Sequence, residues 1–119
     1  MTDVGRELSA RSFDFALRIV KLAQDLSGGK GENVLSRQVL RSGTSIGANL
    51  RESIFAQSTA DFVSKLSIAL KEASETQYWL ELLRDAELVE SGPAFDSICN
   101  DCTDLLRLLT ASVKTAKLQ

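Results

Sequence analysis

A chain of 119 residues fits one domain around a single core, and 44% hydrophobic with 25% charged residues is the composition of an ordinary globular protein. One Pro and seven Gly leave little punctuation for a many-stranded β fold, and no stretch approaches the roughly 20 apolar residues that span a bilayer. With no histidine, the commonest general base and transition-metal ligand is missing, so Ser-His-Asp and Cys-His arrangements are excluded within the chain.

The net charge of −2 is unevenly spread. Residues 1–51 hold eight basic and five acidic groups, whereas residues 52–119 hold six and eleven. That asymmetry permits a local basic face but gives no global pull on nucleic acid. The opening MTDVGRELSARS has no apolar signal core. A cytoplasmic location is therefore expected, with the two cysteines reduced and no membrane partner.

The spacing predicts a first helix over about 7–26. Phe15, Ile19, Leu22 and Leu26 recur at steps of four, three and four, and Phe13, Leu17, Val20 and Ala23 form an adjacent stripe. Ser27-Gly28-Gly29-Lys30-Gly31 then favours a turn. The second helix, about 32–57, carries the seam Val39, Gly43, Ile46 and Leu50, with Leu35, Leu40 and Ile54 beside it. Two glycines inside a helix cost about 1–2 kcal/mol relative to Ala. Close approach of another helix over Gly43, Gly47 and Ala48, or else a kink near Gly43, would offset that cost.

Ser58 is placed to cap a third helix over about 59–87, with Asp61 favouring its positive end. Phe62, Leu66, Ala69, Ala73, Thr76, Leu80 and Leu83 give the four-three alternation of bundle packing. Ile68, Trp79 and Leu82 lie off that seam. Pro93 opens a fourth helix over about 93–117, with Phe95, Ile98, Cys102, Leu105, Leu109, Ser112 and Ala116 inward and Leu106, Leu108 and Val113 spilling beyond. Short connections make neighbours antiparallel, so the expected fold is a single all-α domain over 1–119, an antiparallel up-down-up-down four-helix bundle. Apolar residues outside the seams point to self-association.

Enzymatic activity, a cofactor and a metal are not expected. Cys99-Asn100-Asp101-Cys102 has CxxC spacing, but the surroundings are helical and a zinc site lacks further His or Cys ligands, so two buried thiols are expected. Glu72 and Glu75 share a helix face without the His of a di-iron motif, and a solvated face is the plainer reading. Arg41, Ser45, Asn49 and Glu52 step along one face of the glycine-bearing helix. They suit plain solvent, a buried polar network that fixes how helices or subunits meet, or a site for a ligand backbone. Arg11, Arg18, Arg37 and Arg41 belong to the basic half and suit phosphate, although a solvated, salt-bridged face fits them as well.

The run Gln38-Val39-Leu40-Arg41-Ser42-Gly43-Thr44-Ser45-Ile46-Gly47-Ala48-Asn49-Leu50-Arg51-Glu52 resembles the signature of the four-helix-bundle proteins encoded in intervening sequences of 23S ribosomal RNA. That family reads approximately Q-x-x-R-(small)-x-x-S-I-x-x-N-(I/L)-x-E, and residues 61–73 with Glu75-Thr76 look like its third helix. The resemblance implies a bundle that assembles into a cyclic homopentamer, similar in fold to the pentameric accessory proteins of diversity-generating retroelements, which contact nucleic acid and a reverse transcriptase. It also implies that Ser45, Asn49 and Glu52 organise the bundle or its interface. The leading expectation is a homo-oligomer that binds RNA, DNA or a ribonucleoprotein partner through Arg11, Arg18, Arg37 and Arg41. The alternative is a protein–protein scaffold that docks a partner on Ile68, Trp79 and Leu82.

Overall fold

The computed structural model describes residues 3–118. Four helices follow one another: α1 (Asp3–Gln24), α2 (Val34–Ile54), α3 (Thr59–Asp85) and α4 (Pro93–Lys117), with no strand among the described residues. Residues that face one another set the directions. Ser12 and Ile19 of α1 meet Gly47 and Gly43 of α2, Arg41 and Glu52 of α2 meet Glu75 and Lys65 of α3, and Arg18, late in α1, meets Ala94, early in α4. Each pair is antiparallel. Each helix packs on its neighbour in sequence, and α1 also packs, more loosely, against α4. The result is an elongated four-helix bundle of 46 × 23 × 19 Å.

The predicted seams are the core. Phe15, Ile19, Leu26, Val39, Ile46, Leu80, Leu83, Leu105 and Leu109 are fully buried together. Val113, expected to spill outward, is buried as well, because α4 turns a wide apolar face to both α1 and α3. Phe62, at the head of the α3 seam, is only half-buried: the bundle is open at that end, with a cleft of about 870 Å³ lined by Leu8, Leu50, Phe62, Leu66 and Leu108.

The helix boundaries differ from the sequence pattern where side chains satisfy helix ends. Helix α1 starts earlier than expected and does not stop at the glycines. It widens into a π turn over Asp25–Gly29, where nothing approaches Gly28 or Gly29 and Leu26 stays buried. Gly31 (φ 69°) then reverses the chain. Helix α2 begins two residues late because the Glu32 carboxylate accepts from the Leu35 N–H (2.5 Å). It ends at Ile54, and the next helix begins with Ser58 accepting from the Asp61 N–H (3.0 Å) while the Asp61 carboxylate accepts from the Gln57 N–H (3.1 Å).

Helix α3 ends in a Schellman motif. The Leu88 N–H donates to Leu83 C=O and the Glu87 N–H to Arg84 C=O, both at 3.0 Å. The left-handed position falls on Glu87, at φ 58°. Glu87→Gly should therefore stabilise the bundle by about 1 kcal/mol, since glycine carries no Cβ penalty in that region. A urea midpoint that moves up with an unchanged slope checks it.

The close-approach reading of α2 holds at two of its three positions. A Cβ on Gly43 would stand 2.8 Å from Ile19 Cγ2, and one on Gly47 would stand 3.2 Å from Ser12 Oγ. Ala48 is exposed and lies outside the contact. Helical geometry explains this: Ala48 sits 100° round from Gly47, past the line facing α1.

Candidate interaction faces

The polar stripe of α2 lies along its contact with α3, and each member has a distinct job. Arg41 reaches across to two carboxylates one turn apart on α3. Its Nη1 stands 3.4 Å from Glu72 Oε2, and its Nη2 pairs with Glu75 Oε2. The Trp79 indole N–H donates to the same Glu75 oxygen (2.9 Å). Glu75 is held below its ordinary value, first by that indole hydrogen bond, with Arg41 adding to the effect and partial burial opposing it. Arg41 is correspondingly held above its ordinary value by the bond to Glu75 and the charge of Glu72. Glu72 and Glu75 thus clamp a guanidinium.

Further along the stripe, Ser45 and Asn49 turn back to their own helix, onto the Arg41 carbonyl (2.6 Å) and the Ser45 carbonyl (2.9 Å). Glu52 pairs at 3.9 Å with Lys65 on α3. The stripe is therefore three ion pairs across α2 and α3, two of them made by Arg41, with local bonds between Arg41 and Glu52. The polar contact buried between these helices is a different one: the hydroxyls of Ser42 and Thr76, 2.9 Å apart and fully covered. Thr76 stood on the predicted α3 seam, but Ser42 was not among the predicted seam residues of α2, so the pairing was not legible in the sequence.

The four candidate phosphate-binding arginines do not form one surface. Arg11 pairs with Glu7 on its own helix (3.1 Å). Arg18 pins the loose α1–α4 contact, bonding Asp101 Oδ2 (2.5 Å), Ser97 Oγ (3.1 Å) and the Ala94 carbonyl (3.4 Å). Arg41 is in the clamp. Arg37 has no carboxylate partner among the described residues, and it lines a cleft between α1 and α2 with Val20, Gln24 and Leu40. Asp101, Glu72 and Glu75 were visible in the sequence as charges but not as partners.

Of the off-seam residues on α3, Ile68 and Leu82 are exposed and Trp79 is half-buried beside the Arg41 clamp. Tyr78, 57% exposed, meets Trp79 edge to face. On α1, Phe13 and Leu17 stand well out from the surface. The cysteines differ from one another: Cys102 is covered, with its thiol 3.5 Å from the Ala73 carbonyl, while Cys99 is half-exposed. Burial pushes Cys102 from its ordinary value of 9.0 to about 12. It therefore favours the folded state fully below pH 9, and that contribution should fall away between pH 9 and about 12, by up to about 1.4 kcal/mol per pH unit. Urea melts across that range, with Cys102→Ala lacking this slope, measure it.

A family model for the 23S rRNA-intervening sequence protein matches residues 7–111. The chain belongs to that family. The match takes in every candidate residue above, from Arg11 to Leu82, and leaves out only the chain ends. The family's signature run lies on α2, where the arginine, Ser45, Asn49 and Glu52 form the polar stripe just described. A crystal structure of a protein of unknown function from the S23 ribosomal protein family of Bacteroides thetaiotaomicron is similar to this family member. It is 50% identical over 93% of this chain and 98% of that one, with a TM-score of 0.89. No curated protein matches. In this family member, no helix among the described residues is long and apolar enough to cross a membrane.

Proposed function

We propose that this protein is a non-enzymatic, self-assembling binding module, a cytoplasmic homo-oligomer of four-helix bundles whose further partner is a protein or the protein part of a ribonucleoprotein. The observation that carries this reading is the set of large apolar side chains, among them Phe13, Leu17, Ile68, Tyr78 and Leu82, left on the outside of the bundle. A ring of five, implied by the family resemblance, is consistent with it. The lack of histidine, the commonest general base, favours a binding role, as does the burial that holds the Cys102 and Cys99 thiols above their ordinary value.

Naked nucleic acid is the second reading. It is favoured by Arg37 and Arg51, whose charges no carboxylate of the described chain offsets. It is weakened because Arg11, Arg18 and Arg41 already hold carboxylates. A native mass spectrum of protein purified without nuclease treatment separates the two. A bare multiple of 13.0 kDa is expected. A species with nucleic-acid mass, lost steeply with added salt and on Arg37→Ala, would replace the first reading with the second. A bare monomer would remove self-assembly.

A further inference from the structure

The cleft at the open end of the bundle comes from a change in side-chain size along α1 and α4. The middle of α4 presents Leu105, Leu106 and Leu109, whereas its last two turns present Ala111, Ser112 and Thr115. Across the cleft, α1 offers Gly5 and Ser9 in place of the Phe15 and Ile19 found further along. The α1–α4 contact is pinned at Arg18 and left unfilled at this end, so about 870 Å³ stands open against Leu8, Leu50, Leu66 and the half-buried Phe62. Packed helices ordinarily close such a space, because atoms along a gap lose their contacts. None of the described residues that line the cleft is charged, in a chain that is 25% charged overall. The hydroxyls of Ser9, Ser112 and Thr115 have no hydrogen-bond partner among the described residues, so each can still donate and accept.

We propose that this cleft binds an uncharged, largely apolar small molecule that carries a hydroxyl or carbonyl group. Its volume lies in the range of ligand pockets, which are mostly apolar with a few polar groups that fix orientation. The apolar body would rest on Leu8, Leu50, Phe62 and Leu66, whose contacts the cleft leaves unmade. The polar group would meet the serine and threonine hydroxyls on the α1 and α4 walls. A charged ligand is selected against, because nothing in the wall would replace the water or counter-charge it gives up. None of the exposed side chains named for self-assembly, such as Phe13 and Leu82, lines the cleft, so the site does not depend on that reading.

The test is a fluorescence titration with two probes that share one aromatic body, neutral N-phenylnaphthylamine and anionic anilinonaphthalene sulfonate. The wild type should bind the neutral probe saturably, one per chain, and the anionic probe about ten-fold more weakly or less. Ser9→Leu/Ser112→Leu fills the cleft with apolar atoms, so it should lose the neutral probe while its urea midpoint holds or rises. Ala111→Glu, at an exposed wall position, should lose the same probe without touching the core. Phe13→Ser, away from the cleft, should bind as the wild type does. Filled or charged variants that are folded and still bind overturn the site. Equal affinity for the two probes overturns the selection for an uncharged ligand. A wild type that takes up neither probe overturns the proposal. If the filled variant then also sediments at a lower mass, the cleft belongs to a contact between copies instead.

Discussion

Gly43→Val should destabilise the bundle by about 3 kcal/mol, a fall in melting temperature of roughly 10 °C for a chain of this size. The new Cβ would stand 2.8 Å from Ile19 Cγ2, 3.0 Å from Cγ1 and 3.2 Å from Cβ. Those are atoms near the backbone of a side chain with no exposure, so Ile19 cannot swing clear. The better helix propensity of the replacement offsets less than about 1 kcal/mol of the overlap. Gly47→Ala is the matched control. Its Cβ would stand 3.2 Å from Ser12 Oγ, a hydroxyl that can shift by a few tenths of an ångström, so helix propensity should make this change neutral or slightly stabilising. Ile19→Ala in the Gly43→Val background should recover part of the loss, a coupling of about 1 kcal/mol or more in a double-mutant cycle. Additivity would show that Ile19 is not the obstacle.

Phe15→Ala should cost about 3–5 kcal/mol, whereas Phe13→Ala should change folding by about 0.5 kcal/mol or less. The two phenylalanines are two residues apart on α1, yet Phe15 is 1% exposed and Phe13 is 56% exposed. Chemical denaturation measures the first effect, and at low protein concentration it keeps the second free of assembly. Equal losses at the two positions would show that Phe13 is covered within the monomer.

The repeat of apolar residues identified Phe15 as core. It could not tell Phe13 from a residue with a second neighbour, since a stripe two positions away is apolar too. The same ambiguity touched α4, where Val113 was expected outside and lies inside. On α2, glycine at Gly43 and Gly47 announced a close neighbour, but identifying Ile19 and Ser12 as that neighbour needed the packed helices. The candidate site was less legible still. Arg41, Ser45, Asn49 and Glu52 do share a face, as the spacing required, but they do not form one network.

By itself the sequence determined the four helices, their core-facing stripes, their antiparallel order and the family signature on α2. Those follow from periodicity, capping residues and short connections, all of which act over a few neighbouring positions. Only the tertiary structure decided which charges are spent. Arg18 reaches Asp101 83 positions away, and Arg41 reaches Glu75 across 34. Pairings of that kind depend on the rotation and register of whole helices, which packing of the full core sets and no local pattern records. They also leave Arg37 and Arg51 without a carboxylate partner among the described residues.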